Sequence, residues 1–211
     1  MFTEVFMKEM NEFQVSLAYL NETVEGLKSE NEKLKTANSA LTNQNAALEK
    51  RARELEQYSR KNNVELKGVP CTQGEGCVAV LQAVGNRIDC PVSKDDIDIA
   101  HRVPSASDAK KLIARFTSRA KKAEFISKAR KARLQTHDIG FRGAKSRPIY
   151  INDHLTQENK KLFAKALSLK KEKRWHFLWT DDCLIKARKN ADSRVFRIRD
   201  EADLKIFTNQ A

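Results

Sequence analysis

The side chains that could do chemistry in this 211-residue chain are mostly cations, and cations without neighbouring acids bind polyanions. Between residues 110 and 147 the sequence carries 13 Lys and Arg against 2 Asp and Glu. A basic face kept only for solubility has acids interspersed, and this stretch nearly lacks them. The candidate phosphate contacts are Arg60, Lys61, Lys67, Lys111, Arg115, Arg130 and Arg133. Lys121, Lys122, Lys128 and Lys131 share the helical stretch of Arg130, and several of this group are expected to be solvent-facing bystanders. Trp175, Phe177 and Trp179 alternate onto one face of a strand, which suits either base stacking or, more commonly, core packing.

Catalysis is not expected. His101, His137, His154 and His176 stand in no relation to an acid or nucleophile, and no carboxylates cluster as a metal-dependent nuclease requires. The four cysteines, Cys71, Cys77, Cys90 and Cys183, form no C-x-x-C pair and have no His at zinc spacing. They read as free thiols, so no cofactor, metal or small-molecule substrate is expected. Neither a signal peptide nor a membrane-length apolar run is present, which predicts a soluble intracellular protein, cytoplasmic, nuclear or both.

The cations are positioned by an element of a different kind. Phe6, Phe13, Leu20, Leu27, Leu34, Leu41, Leu48 and Leu55 recur every seven residues, with Met10, Leu17, Val24, Asn31, Asn38, Asn45 and Ala52 at the a positions. This heptad specifies a helix that cannot bury its seam alone, so self-association through residues 6–60 is expected. Buried Asn at a favours fixed register and parallel dimers, whereas Arg51-Ala52-Arg53-Glu54-Leu55-Glu56 resembles a parallel-trimer motif. Parallel alignment also sets Glu30 beside Lys35 and Arg51 beside Glu56 of the neighbouring helix. Only five residues precede Phe6 and none is basic, so a basic-zipper DNA reader is not expected.

Charge divides with the elements: residues 1–62 hold 9 basic and 10 acidic side chains, the remainder 31 and 18. After Asn62, the run Asn63–Pro70 alternates as a strand, Glu75–Ile88 has helical spacing, and Ile97–Val103 reads as a second strand. Pro104–Asp108 is a loop, Lys110–Thr117 a third strand, and Ser118 caps a helix reaching about Lys131. A fourth strand is expected around Ile149-Tyr150-Ile151. The order βαββαβ suggests a four-stranded sheet backed by two helices, as in RNA-recognition modules. Thr156 then caps a helix, strands follow at 175–180, 183–188 and 194–199, and Asp200 caps a closing helix.

The junction Leu55-Glu56-Gln57-Tyr58-Ser59-Arg60-Lys61-Asn62-Asn63, with Leu66-Lys67-Gly68-Val69-Pro70 and Ala100-His101-Arg102-Val103, resembles the first-open-reading-frame proteins of LINE-type retrotransposons. Ser193-Arg194-Val195-Phe196 with Asp203-Leu204 is similar to the C-terminal domain of the baculovirus few-polyhedra (FP) protein and its insect transposon relatives. The resemblance implies single-stranded nucleic-acid binding, with strand annealing in the retroelement branch, and no catalysis. It places Arg60 and Lys61 in a basic junction that grips RNA.

The usual RNA-recognition sheet stacks bases on strand aromatics. Here, with Leu112, Ala114 and Phe116 facing the helices, the ligand would meet Lys111, Ile113 and Arg115. Charge then replaces stacking, which favours salt-sensitive phosphate binding over sequence readout. The expected fold is α+β: a parallel coiled coil (1–62), an RNA-recognition-like βαββαβ domain (63–152) and a small αβββα domain (153–211). The expected function is an oligomeric, non-catalytic binder of single-stranded RNA or DNA. The alternative is a coiled-coil scaffold whose basic domains dock on acidic proteins.

Overall fold

The computed structural model describes residues 2–71, 74, 76–104, 111–141 and 146–209. The expected loop after Pro104, Lys110 and the expected helix start at Glu75 fall outside the described residues. The chain divides into two compact units, Met1–Glu54 and Leu55–Ala211.

The first unit lies within one helix, α1 (Phe2–Ser59), which also supplies the opening turn of the second. Its heptad leucines, among them Leu20, Leu27, Leu34, Leu41 and Leu48, are all exposed, as are Asn31, Asn38 and Asn45 on the same stripe. Nothing among the described residues buries this seam. Intrahelical pairs such as Lys28–Glu25 (2.7 Å) and Lys35–Glu32 (2.8 Å) decorate the helix. Exposed pairs of this kind contribute only a few tenths of a kcal/mol.

The second unit holds two antiparallel sheets. After Asn62 come β1 (Asn63–Lys67), α2 (Cys77–Arg87), β2 (Ile97–Val103), β3 (Lys111–Phe116), α3 (Arg119–Ala132) and β4 (Tyr150–Asp153), with the strands ordered β2-β3-β1-β4. Alternation along β1 and β3 sends Val64, Leu66, Leu112, Ala114 and Phe116 inward, where they are sealed against Val80, Leu81 and Val84 of α2 and Phe125, Ile126 and Ala129 of α3. Ser118 accepts from the Lys121 N–H at the start of α3, and Arg133 closes the helix in the left-handed region (φ 48°). Two glycines are obligatory here. Gly68 ends β1 at φ +85°, where a Cβ would stand 2.3 Å from the Pro148 carbonyl oxygen. A Cβ on Gly85 would meet the Cys90 carbonyl oxygen at 2.6 Å.

The chain continues into α4 (Gln157–Glu172), β5 (Phe177–Asp181), β6 (Leu184–Arg188), β7 (Phe196–Ile198) and α5 (Ile206–Asn209), with the sheet ordered β5-β6-β7. Thr156 caps α4, its hydroxyl accepting from Asn159 N–H at 3.2 Å. The Asp200 carboxylate accepts from the N–H groups of Ala202 and Asp203, starting a 3-10 turn that leads into α5. Leu162 and Ala166 of α4 pack on Ile185, Ala187, Ile198, Trp175 and Phe207. The β5–β6 hairpin turns on Asp182 and Cys183, both at positive φ (47° and 63°), the geometry that matches strand twist.

Candidate nucleic-acid interface

The junction sequence forms a built corner rather than a frayed helix end. Gln57 is buried in the last turn of α1; its amide donates to the His154 carbonyl (3.1 Å) and accepts from Thr156 N–H (3.0 Å) and the Asn159 side chain (2.8 Å). Asn62 donates to the Phe116 carbonyl at 2.9 Å and accepts from Arg119 Nε at 3.0 Å. Arg102 secures the turn after β1 by donating to the carbonyls of Val69 (2.9 Å) and Pro70 (2.8 Å). These contacts give a structural reason for Gln57, Asn62 and Arg102 within the junction motifs. These contacts have no local sequence signature, because each amide and guanidinium finds its partners tens of residues away.

On the outer side of this corner, Tyr58 is exposed between two cations. The Arg119 guanidinium lies 5.0 Å from its ring centre and the Lys61 ammonium 5.7 Å. Arg119, through hydrogen bonding and charge, holds the Tyr58 phenol below its ordinary pKa, and Lys61 adds to the effect. Lys61 also pairs with Asp182 at 2.6 Å, and Arg60 with Glu56 at 2.7 Å. Arg60 and Lys61 are the contacts expected from the sequence; Tyr58 and Arg119 join Lys61 in the cluster.

The outer face of the four-stranded sheet differs from the expected open basic plane. Lys67, Lys111 and Arg115 do point to that side, but its centre holds Glu65 and Ile113, both buried. Lys160 reaches from α4 to Glu65 at 3.0 Å. Lys67 and Lys111 stand 3.9 and 4.0 Å from the same carboxylate. Arg115 pairs with Asp98 at 3.3 Å, both half exposed. A carboxylate can be buried here because three ammonium groups surround it, and it offsets part of their field.

Lys122 corrects the expectation of a solvent-facing bystander. It is buried, donating to the Lys61 carbonyl (2.6 Å) and to Asp153 (2.7 Å), with Cys183 Sγ at 3.7 Å. Burial alone would raise the Asp153 pKa, but Lys122, Thr180 and Arg130 together hold it below the usual carboxylate range. Burial pushes the Cys183 thiol up to about 11. Arg130 donates to the Thr180 carbonyl (2.8 Å) and hydroxyl (2.9 Å), so its guanidinium ties α3 to β5. Arg133 is exposed at the end of α3.

The aromatic trio separates. Trp175 precedes β5 and enters the core, its ring 4.7 Å from Phe207 and 5.8 Å from Phe196. Phe177 and Trp179 share the opposite face of β5, where cross-strand pairing sets Arg188 beside Phe177 and Lys186 beside Trp179. Arg197 of β7 lies beside Lys186 on the same face. Among the described residues no group of His, Cys, Asp or Glu is placed to hold a metal, and no helix is long and apolar enough to cross a membrane.

Comparison with known proteins adds one match. A search among curated proteins finds none. Residues 156–208, from the α4 cap to the closing helix, match the family model of Baculovirus FP protein domain 2.

Proposed function

We propose that this protein is an oligomeric, non-catalytic binder of single-stranded nucleic acid, RNA in the first instance, that assembles as a parallel dimer or trimer through α1. The observation that carries the reading is the Tyr58–Lys61–Arg119 cluster: an exposed ring between two cations, where the chain enters residues 63–211, which hold 31 basic against 18 acidic residues. A ring takes a base face and the cations take phosphates. The βαββαβ order and the strand order β2-β3-β1-β4 support an RNA-recognition-like arrangement. The FP-type match at residues 156–208 and the LINE-like junction residues support the retroelement or few-polyhedra reading, with strand annealing as the activity.

Several copies of one head on a shared helix raise avidity without new contacts, so weak exchangeable binding by each head suffices. The test is fluorescence anisotropy of the full-length protein with single-stranded RNA and DNA across a salt series, followed by a strand-annealing assay. Affinity should fall steeply with salt. Absence of binding at low salt, or binding without salt dependence, would overturn the proposal. Capture of an acidic protein, with no nucleic acid bound, would replace it by the scaffold reading.

A further inference from the structure

We infer that the outer face of the β5–β6–β7 sheet is a base-stacking site for single-stranded nucleic acid, separate from the Tyr58 cluster. The inference rests on the nucleic-acid reading above and locates a second surface for it. Strand alternation puts Phe177, Trp179, Lys186, Arg188 and Arg197 on this one face, while Leu178, Ala187, Ile185 and Ile198 fill the core behind it. Phe177 is 38% exposed and Trp179 half-buried, so neither side chain is sealed into the core. Phe177 and Trp179 lie two residues apart on one strand, a rise of about 7 Å, so successive nucleotides of an extended strand meet them in turn.

The cations complete the chemistry. The Arg188 guanidinium stands over the Phe177 ring, 4.7 Å from its centre, a cation–π contact. Its Nε is buried and has no hydrogen-bond partner among the described residues, so stacking rather than a protein acceptor holds the guanidinium there. Arg197 is exposed with no ion-pair partner among the described residues, and Lys186 is held near Trp179 by Asp181 at 2.5 Å. Asp181 is the only acid on these strand faces. The contrast with the other sheet decides the assignment. There a buried Glu65 occupies the middle of the outer face, whereas here the middle carries Trp179, Lys186 and Arg197. Aromatic faces beside the cations Lys186, Arg188 and Arg197 match the stacked bases and phosphates of a single strand.

The test uses full-length protein and the pair Phe177→Leu and Trp179→Leu, which keep apolar bulk and remove the π faces. Binding of a fluorescent single-stranded RNA should weaken roughly 5- to 100-fold per ring removed. An oligonucleotide with abasic positions should bind the unsubstituted protein more weakly, and the double variant should no longer distinguish the two strands. Arg197→Ala should lower the salt slope by about one. Unchanged circular dichroism and melting of each variant exclude misfolding, because Trp175, not these rings, fills the core. If the double variant binds like the unsubstituted protein and still discriminates abasic strands, this face is not the site while the general reading stands. If the unsubstituted protein binds no single strand, both fall.

Discussion

The Lys122 ammonium stands 2.7 Å from a carboxylate oxygen of Asp153, and each of these side chains is only 3% exposed. The pair joins α3 to the end of β4, and Thr180 donates to the other Asp153 oxygen at 2.8 Å, bringing in β5. A buried pair is weak evidence for added stability but strong evidence for sensitivity to losing one partner. Asp153→Asn should therefore destabilise by about 3–5 kcal/mol, because it leaves an uncompensated buried ammonium. Lys122→Met should cost less, since Arg130 and Thr180 still serve the carboxylate. Urea unfolding of the two variants measures the order, and the reverse order would contradict it.

His154 adds a pH dependence with a definite sign. Burial, with Lys160 and Arg60 nearby, lowers its pKa from 6.5 to about 4. Glu65 opposes the shift and His101 adds slightly to it. Between those values the unfolded chain holds a proton that the folded chain refuses, so stability falls as pH drops from about 6.5 to about 4. The loss is on the order of 2 kcal/mol once partial solvation is allowed for. Asp153, whose folded pKa is depressed, removes further stability only below its ordinary value of 3.8. Thermal melts from pH 7 to pH 3 should show both steps, and His154→Gln should erase the upper one.

Gln57 is the one buried side chain of α1, and its amide makes contacts to His154, Thr156 and Asn159. Gln57→Leu leaves a buried N–H and C=O without partners, at a cost of about 1–3 kcal/mol. Ser59→Ala, two residues on and exposed, should change stability by less than about 0.5 kcal/mol. A fragment that begins at residue 63 loses Gln57 and Lys61 together, so it should be less stable than one beginning before Leu55. Differential scanning calorimetry of the two fragments reads this directly.

The exposed seam has its own consequence. Leu34→Asp with Leu41→Asp puts charge on the heptad stripe and should abolish self-association in sedimentation equilibrium. The same variant should bind short RNA as before and long RNA on the order of 10² times more weakly, as avidity is lost. Asn38→Leu should do the opposite to stability: a tighter oligomer with less defined copy number.

Much of the architecture was legible because it depends on local periodicity. The seven-residue repeat marks α1, period-two alternation marks β1, β3, β5 and β6, and Ser118 and Thr156 mark two helix starts. The inward set Leu112, Ala114 and Phe116 follows from the same alternation. Strand ends were less legible. Trp175 and Arg194 lie outside the regular strands because a tight chain reversal after α4 and the turn before β7 take those residues.

The sequence by itself determined the elements, the charge partition and the unpaired heptad stripe, since these are properties of spacing and composition. Tertiary structure alone decided which cations are spent. Lys122, Arg130 and Arg102 are equivalent to Arg133 and Arg197 as letters, yet the first three meet buried carboxylates and carbonyls from distant segments. The same holds for Trp175 and Trp179, one in the core and the other on the sheet's outer face. A charge or ring that the fold buries against an internal partner is withdrawn from binding, and pairing across tens of residues has no local signature.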